Sequence, residues 1–146
     1  MSNKIILLIE DNPDDEALTL RALKKNDIQS EVRVARDGQE ALDYFFGDKW
    51  SANPCPAVVL LDLMLPKVNG LEILRRIRAD ERTSLQPVVI LTSSKEEQDI
   101  IKGYQLGANS YIRKPVDFTQ FTEAVRQLGL YWLVMNETPP SSQGMA

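Results

Sequence analysis

Short apolar runs and helical stripes alternate five times along this chain. Lys4–Ile9, Ala57–Leu61 and Pro87–Leu91 are dense in Ile, Val and Leu, with almost no polar interruption. Runs of this length predict strands covered on both faces. Glu31–Ala35 alternates polar and apolar side chains, the mark of a shorter and more exposed strand. Asn109–Ile112 predicts a last short strand. Each run is followed by a helix signal. Asn12 suits an N-cap, Pro13 the first helical position, and Asp14 and Asp15 the positive end of the dipole. Ala17, Leu20 and Leu23 are the expected buried stripe of that helix. Asp37 with Glu40, Asn69 with Glu72, Ser94 with Glu97 and Asp117 with Gln120 have the spacing of capping boxes. They open helices that bury Ala41, Leu42, Phe45 and Phe46 in the second, and Leu71, Leu74 and Ile77 in the third. The fourth runs towards Gly107, and the fifth to about Met135. Gly47–Pro56 holds Gly, Asn, Ser and two prolines and reads as an irregular surface loop.

Strand and helix in strict alternation imply parallel strands, right-handed crossovers and helices on both faces. The expected fold is therefore α/β, a doubly wound five-stranded parallel sheet of order 2-1-3-4-5, flavodoxin-like. Residues 1–135 form one domain on this reading. Residues 136–146, rich in Pro and Ser, are expected to be a disordered tail.

That strand order places the ends of the first and third strands side by side, where open α/β sheets carry their chemistry. Glu10 and Asp11 follow the first strand and Asp62 follows the third. Thr92 ends the fourth strand, and Lys114 follows the fifth. Three crowded carboxylates call for a cation. Oxygen ligands without His or Cys select Mg²⁺, with Mn²⁺ as the alternative. Asp11 and Asp62 are the expected direct ligands, the Met64 backbone carbonyl a third, and Glu10 acts through water. A metal, a lysine and a hydroxyl around one carboxylate are what an incoming phosphoryl group needs. Asp62 is then a nucleophile that becomes an aspartyl phosphate.

Composition narrows the field. A net charge of −4 and a pI near 4.9 argue against general affinity for nucleic acid or an anionic membrane. No apolar run reaches the roughly 18 residues of a membrane span. The N-terminus shows no signal peptide, and Cys55 is the lone cysteine, so a cytoplasmic location is expected. The sequence holds no histidine, which excludes a His triad, a His metal site or a phosphohistidine on this chain.

The set Glu10-Asp11, Asp62 with Pro66 and Gly70, Thr92-Ser93 and Lys114-Pro115 resembles a response-regulator receiver domain of two-component signalling. The resemblance covers about residues 4–133. It implies that Asp62 accepts phosphate from the phosphohistidine of a partner histidine kinase, with Mg²⁺ bound. Thr92 and Tyr111 resemble the switch pair of that family, in which the hydroxyl moves to the phosphoryl group and the ring turns inward behind it. The long 47–56 loop and the apolar segment Leu130-Tyr131-Trp132-Leu133 resemble the single-domain regulators that serve phytochromes, which implies a phytochrome kinase as partner. No output domain is evident, so DNA binding is not expected.

The alternative is an aspartyl-nucleophile phosphohydrolase. The dehalogenase type needs a second Asp two residues after the first, and Met64 stands there. A flavin or nucleotide carrier needs a Gly- or Ser/Thr-rich loop after the first strand, where this chain has Glu10-Asp11-Asn12-Pro13. A scaffold that takes no phosphate needs none of the five key residues, and all are present.

In the last helix Phe118, Phe121, Val125, Leu128 and Trp132 recur at helical spacing as one stripe. Leu130, Tyr131, Leu133 and Val134 fall outside it, so the last turns are apolar nearly all round. Either the tail folds back over this patch or a second copy covers it; the favoured expectation is a symmetric homodimer through the fourth helix, fifth strand and fifth helix.

Overall fold

Every apolar run becomes a strand. In the computed structural model, β1 is Ile5–Ile9, β2 Glu31–Ala35, β3 Val58–Leu61, β4 Val88–Thr92 and β5 Ser110–Arg113. The residues described are 4–26, 30–92, 96–114, 118–129, 131–132, 136–137 and 139. The strands are all parallel, in the expected order β2-β1-β3-β4-β5. Successive side chains point to opposite faces, so the sheet feeds two cores. Leu7, Ile9, Val59, Leu61, Val88 and Ile90 pack against α2 (Gly38–Phe46) and α3 (Gly70–Ala79) on one face. Ile6, Leu8, Val58, Leu60, Val89 and Leu91 pack against α1 (Pro13–Lys25) and α5 (Phe118–Gly129) on the other. The Asn26 side-chain amide ties α1 to α5 by donating to the Thr122 carbonyl at 3.0 Å.

Capping follows the sequence in three of five helices. The Asn12 side chain accepts from the N–H groups of Asp14 and Asp15, with Pro13 opening α1. Asp37 caps α2 through the Glu40 N–H, and Asn69 caps α3 through the Glu72 N–H. α4 (Glu97–Gln105) starts after Glu96, two residues later than the expected Ser94 box, and Glu96 makes no side-chain cap bond. Ser94 and Asp117 lie outside the described residues. Gly107 ends the α4 turn at φ +95°.

The expected inner face of α1 is corrected, and two further segments gain detail. The buried line of α1 is Thr19, Ala22 and Leu23, whereas Ala17 is exposed and Leu20 half-buried. The helix is rotated from that stripe so that Thr19, one turn after Asp15, lies on the inner face, and the Asp15 carboxylate meets Lys114. The 47–56 loop contains a 3₁₀ turn at Trp50–Ala52. The Trp50 ring is stacked by the Arg82 guanidinium, 4.0 Å from the ring centroid, so this loop is pinned to the segment after α3. Helix α5 ends at Gly129, followed by a π-type turn at Tyr131 and Trp132. Leu130, Leu133, Val134, Met135 and most of the expected tail lie outside the described residues.

The loop between β3 and α3 is held from several sides. The Gly70 N–H donates to the Leu63 carbonyl at 3.0 Å, and the Gly38 N–H to the Pro66 carbonyl at 3.3 Å. A β-carbon at Gly70 would stand 2.3 Å from the Asp62 carbonyl oxygen, and one at Gly38 would stand 2.0 Å from that of Val68. Lys67 takes φ +69°, a left-handed conformation for a non-glycine residue. Its ammonium lies 3.2 Å from Asp37.

At the opposite end of the sheet, half-buried Arg78 donates to the carbonyls of Gly107, Ser84 and Gln86 and to Asn109 Oδ1. One guanidinium thereby fastens α3, the start of β4 and the α4–β5 turn together.

Candidate functional site

Register sets the site. Ile9 pairs with Leu61, so Glu10 and Asp62 leave their strands side by side. Thr92 pairs with Arg113, so Lys114 follows one step beyond. The Asp62 N–H donates to the Ile9 carbonyl at 3.0 Å, and the Lys114 N–H to the Thr92 carbonyl at 2.8 Å. Backbone bonds thus fix both chain exits before any side chain acts.

The Asp62 carboxylate is 7% exposed and divided in its bonding. Oδ1 accepts from the Thr92 hydroxyl at 2.8 Å and the Met64 N–H at 3.2 Å. Oδ2 faces Lys114 Nζ at 3.1 Å. The same ammonium lies 2.5 Å from Glu10 Oε1 and 2.8 Å from Asp15 Oδ2. One lysine therefore serves three carboxylates. Glu10 is almost wholly enclosed, and its second oxygen accepts from the Asn12 N–H at 3.3 Å. Asp11, on the same loop, is exposed.

Burial pushes the Glu10 carboxyl up to about 7, with the Asp62 charge adding to the rise and Lys114 opposing it. Burial also opposes charge on Asp62. Lys114, the Thr92 hydroxyl and hydrogen bonds from Glu10 and Met64 outweigh it and hold Asp62 below the usual carboxylate range. Burial disfavours the Lys114 charge too, yet bonds from Asp15 and Glu10 and the Asp62 charge raise its pKa above that of an ordinary lysine. The site thus favours the ionised form of Asp62 and brings the Glu10 carboxyl to the point where its charged and neutral forms balance near neutrality.

Carboxylate oxygens of Glu10, Asp11 and Asp62 come within 4.8 Å of one another. Three hard oxygen donors with no nitrogen or sulfur fit a small divalent cation. The described residues hold no helix long and apolar enough to cross a membrane.

The arrangement contains every strand-end residue the sequence nominated. Tyr111 in β5 is half-buried against the first core, near Gly103 of α4 and Ile90 of β4. Two features were not anticipated: Glu10 bonds Lys114 directly, and Asp15 joins the lysine. A signal for Asp15 existed. With Asn12 as cap, Asp15 is the third helical residue, on the turn that faces the end of the sheet.

The response regulator receiver domain family matches residues 6–126. The chain belongs to that family. It is 39% identical over 135 residues to the probable methanogenesis regulatory protein FilR2 of Methanothrix harundinacea (strain 6Ac), covering 92% of this chain and 87% of that protein. It is 35% identical over 131 residues to response regulator Rcp1 of Synechocystis, covering 89% of each. The crystal structure of the Mn²⁺-bound form of Rcp1 superposes with a TM-score of 0.86 over 94% of this chain and 99% of that one, at 34% identity. The phosphorylated cyanobacterial phytochrome response regulator RcpA superposes with a TM-score of 0.88 over 95% of this receiver chain and all of that one, at 37% identity. Receivers act in two-component systems as phosphoacceptors on aspartate, and are regulators rather than enzymes of turnover.

Proposed function

We propose that this receiver takes a phosphoryl group on Asp62 from the phosphohistidine of a partner histidine kinase and uses it to drive a conformational switch. The observation that carries the reading is the bonding of one carboxylate: Thr92 on Oδ1 at 2.8 Å and Lys114 on Oδ2 at 3.1 Å, beside Glu10 and Asp11. An Asp62 oxygen lone pair forms the new O–P bond. The P–N bond of the donor breaks, and its electron pair stays on the imidazole nitrogen. Charge on the transferred group is met by the Lys114 ammonium.

The oxygen-only cluster would hold Mg²⁺, or Mn²⁺, through Asp11, Asp62 and the Met64 backbone carbonyl, with Glu10 reaching it through water. When bound, the cation neutralises phosphoryl charge. On phosphorylation Thr92 exchanges its bond to Asp62 for one to a phosphoryl oxygen, and half-buried Tyr111 follows it inward. The aspartyl phosphate is then lost slowly by hydrolysis, with the receiver assisting both steps.

The likeness to RcpA supports a phytochrome kinase as partner. The net charge of −4 supports a protein that binds neither nucleic acid nor an anionic membrane, and the lone Cys55 supports a reducing, cytoplasmic setting. Ile101 and Tyr104 on α4 and Tyr131 after α5 are about half-exposed, which supports a homodimer through the α4-β5-α5 face.

The test is mass spectrometry after incubation with acetyl phosphate and Mg²⁺. Wild type should gain one phosphoryl group on Asp62, and Asp62→Asn none. Specific labelling of a carboxylate in the Asn variant overturns the assignment.

A further inference from the structure

We propose that Asp15 is a positioning residue that holds Lys114 in the unphosphorylated receiver and must release it before a phosphoryl group can be bound. The inference rests on Asp62 being the phosphoacceptor. An ammonium group has three N–H donors. Those of Lys114 are matched by three carboxylate oxygens: Glu10 at 2.5 Å, Asp15 at 2.8 Å and Asp62 at 3.1 Å. No donor is left for an incoming phosphoryl oxygen, so one bond must be given up.

The three bonds differ in what their loss entails. The Glu10 side chain is 2% exposed, so an oxygen that gives up the lysine there has no water to take its place. Asp62 is the reacting group itself. The Asp15 side chain is 35% exposed, so water can replace the lysine. Its place in the first turn of α1 lets the helix dipole stabilise the released charge. Asp15 is therefore the partner released at least cost.

Its position is built, not incidental. The Asp15 N–H donates to the Asn12 side chain at 3.1 Å, and its carbonyl accepts from the buried Thr19 hydroxyl at 2.9 Å. These bonds, with Thr19, Ala22 and Leu23 buried below, set the rotation of α1 that aims Asp15 at the lysine. Asp15 opposes phosphorylation twice: it competes for the proton donor, and its charge repels a phosphoryl dianion. It thereby sets a threshold that the donor must exceed.

The test compares wild type, Asp15→Asn, Asp15→Glu, Lys114→Met and the Asp15→Asn/Lys114→Met double variant. Each is titrated with beryllofluoride in Mg²⁺ by NMR and assayed for labelling by acetyl phosphate. Asp15→Asn should bind beryllofluoride about threefold tighter or more and accept phosphate faster by a similar factor. Asp15→Glu, which keeps the carboxylate, should stay near wild type. In the Lys114→Met background the gain from Asp15→Asn should shrink, because no lysine remains to compete for. A merely structural Asp15 would make the Asn variant less stable and slower, never tighter. If wild type takes phosphate on Asp62 and Asp15→Asn binds beryllofluoride no better than it does, the Asp15 proposal alone is overturned. If wild type takes no phosphate on Asp62, the phosphoacceptor reading falls and this proposal with it.

Discussion

The Thr92 hydroxyl, on β4, donates across 2.8 Å to the Asp62 carboxylate at the end of the neighbouring β3. Thr92 is fully buried, so this bond has no water to replace it. Thr92→Val keeps the shape and deletes the donor. Stability to urea should fall by about 1 kcal/mol. Phosphorylation should still occur, but the Tyr111 NMR signals should no longer move when it does. An unaltered Tyr111 response would separate the threonine from the switch.

A Glu10 carboxyl raised to about 7 should give binding of Mg²⁺ at this site a pH dependence. With the Glu10 carboxyl raised to about 7, the metal-free site holds a proton that a cation must expel. Affinity should therefore climb as pH rises from 6 to 7, by up to about tenfold per unit, and level off above. Without metal the sign for folding is opposite. The folded protein keeps a proton that the unfolded chain releases near 4.5, so this contribution to stability fades as pH rises towards 7. Calorimetry in buffers of different ionisation enthalpy would count the released proton. Glu10→Gln should release none.

Lys114 is in contact with three acids at once, and its side chain is only 9% exposed. Lys114→Met should cost about 3 kcal/mol at pH 7.5, because buried carboxylates lose their cation. Acidification to pH 5.5 or addition of Mg²⁺ should return part of that loss. A melting temperature equal to wild type at pH 7.5 without metal would contradict this account.

The proposed dimer face offers a direct check. The Tyr131 ring stands edge-on to Trp132, at 5.1 Å between centroids, beside a groove of about 840 Å³ lined by Leu85, Ile112 and Pro139 among others. Tyr131→Glu places two charges in a symmetric contact. It should turn a sedimenting dimer into a monomer. A wild type that sediments as a monomer at high concentration, with and without phosphate, would remove the dimer from consideration.

Strand order and the five strand-end residues were legible because each rests on local pattern plus a topology rule. Buried parallel strands are written as unbroken apolar runs, and 2-1-3-4-5 order then brings Glu10, Asp62, Thr92 and Lys114 together. The face of α1 was not legible. Ala17, Leu20 and Leu23 and the observed Thr19, Ala22 and Leu23 are neighbouring stripes, and a buried threonine that bonds its own helix backbone reads as polar. Asp15 was missed for the same reason, since helix starts commonly carry acids. Arg78 was equally hidden, because its acceptors are mostly backbone carbonyls, which leave no mark in side-chain sequence.

Two missing methyl groups bear on how this chain can vary over generations. Gly38 and Gly70 press on the loop that carries Asp62 so closely that any replacement brings a β-carbon into carbonyl oxygen. Every codon change at either position that alters the residue meets the same backbone. Met64, exposed on the same loop, carries no such bar. The shape of the acceptor loop is therefore inherited in large part from two residues outside its tip, while the exposed side chain at position 64 can drift and retune the site without meeting that backbone.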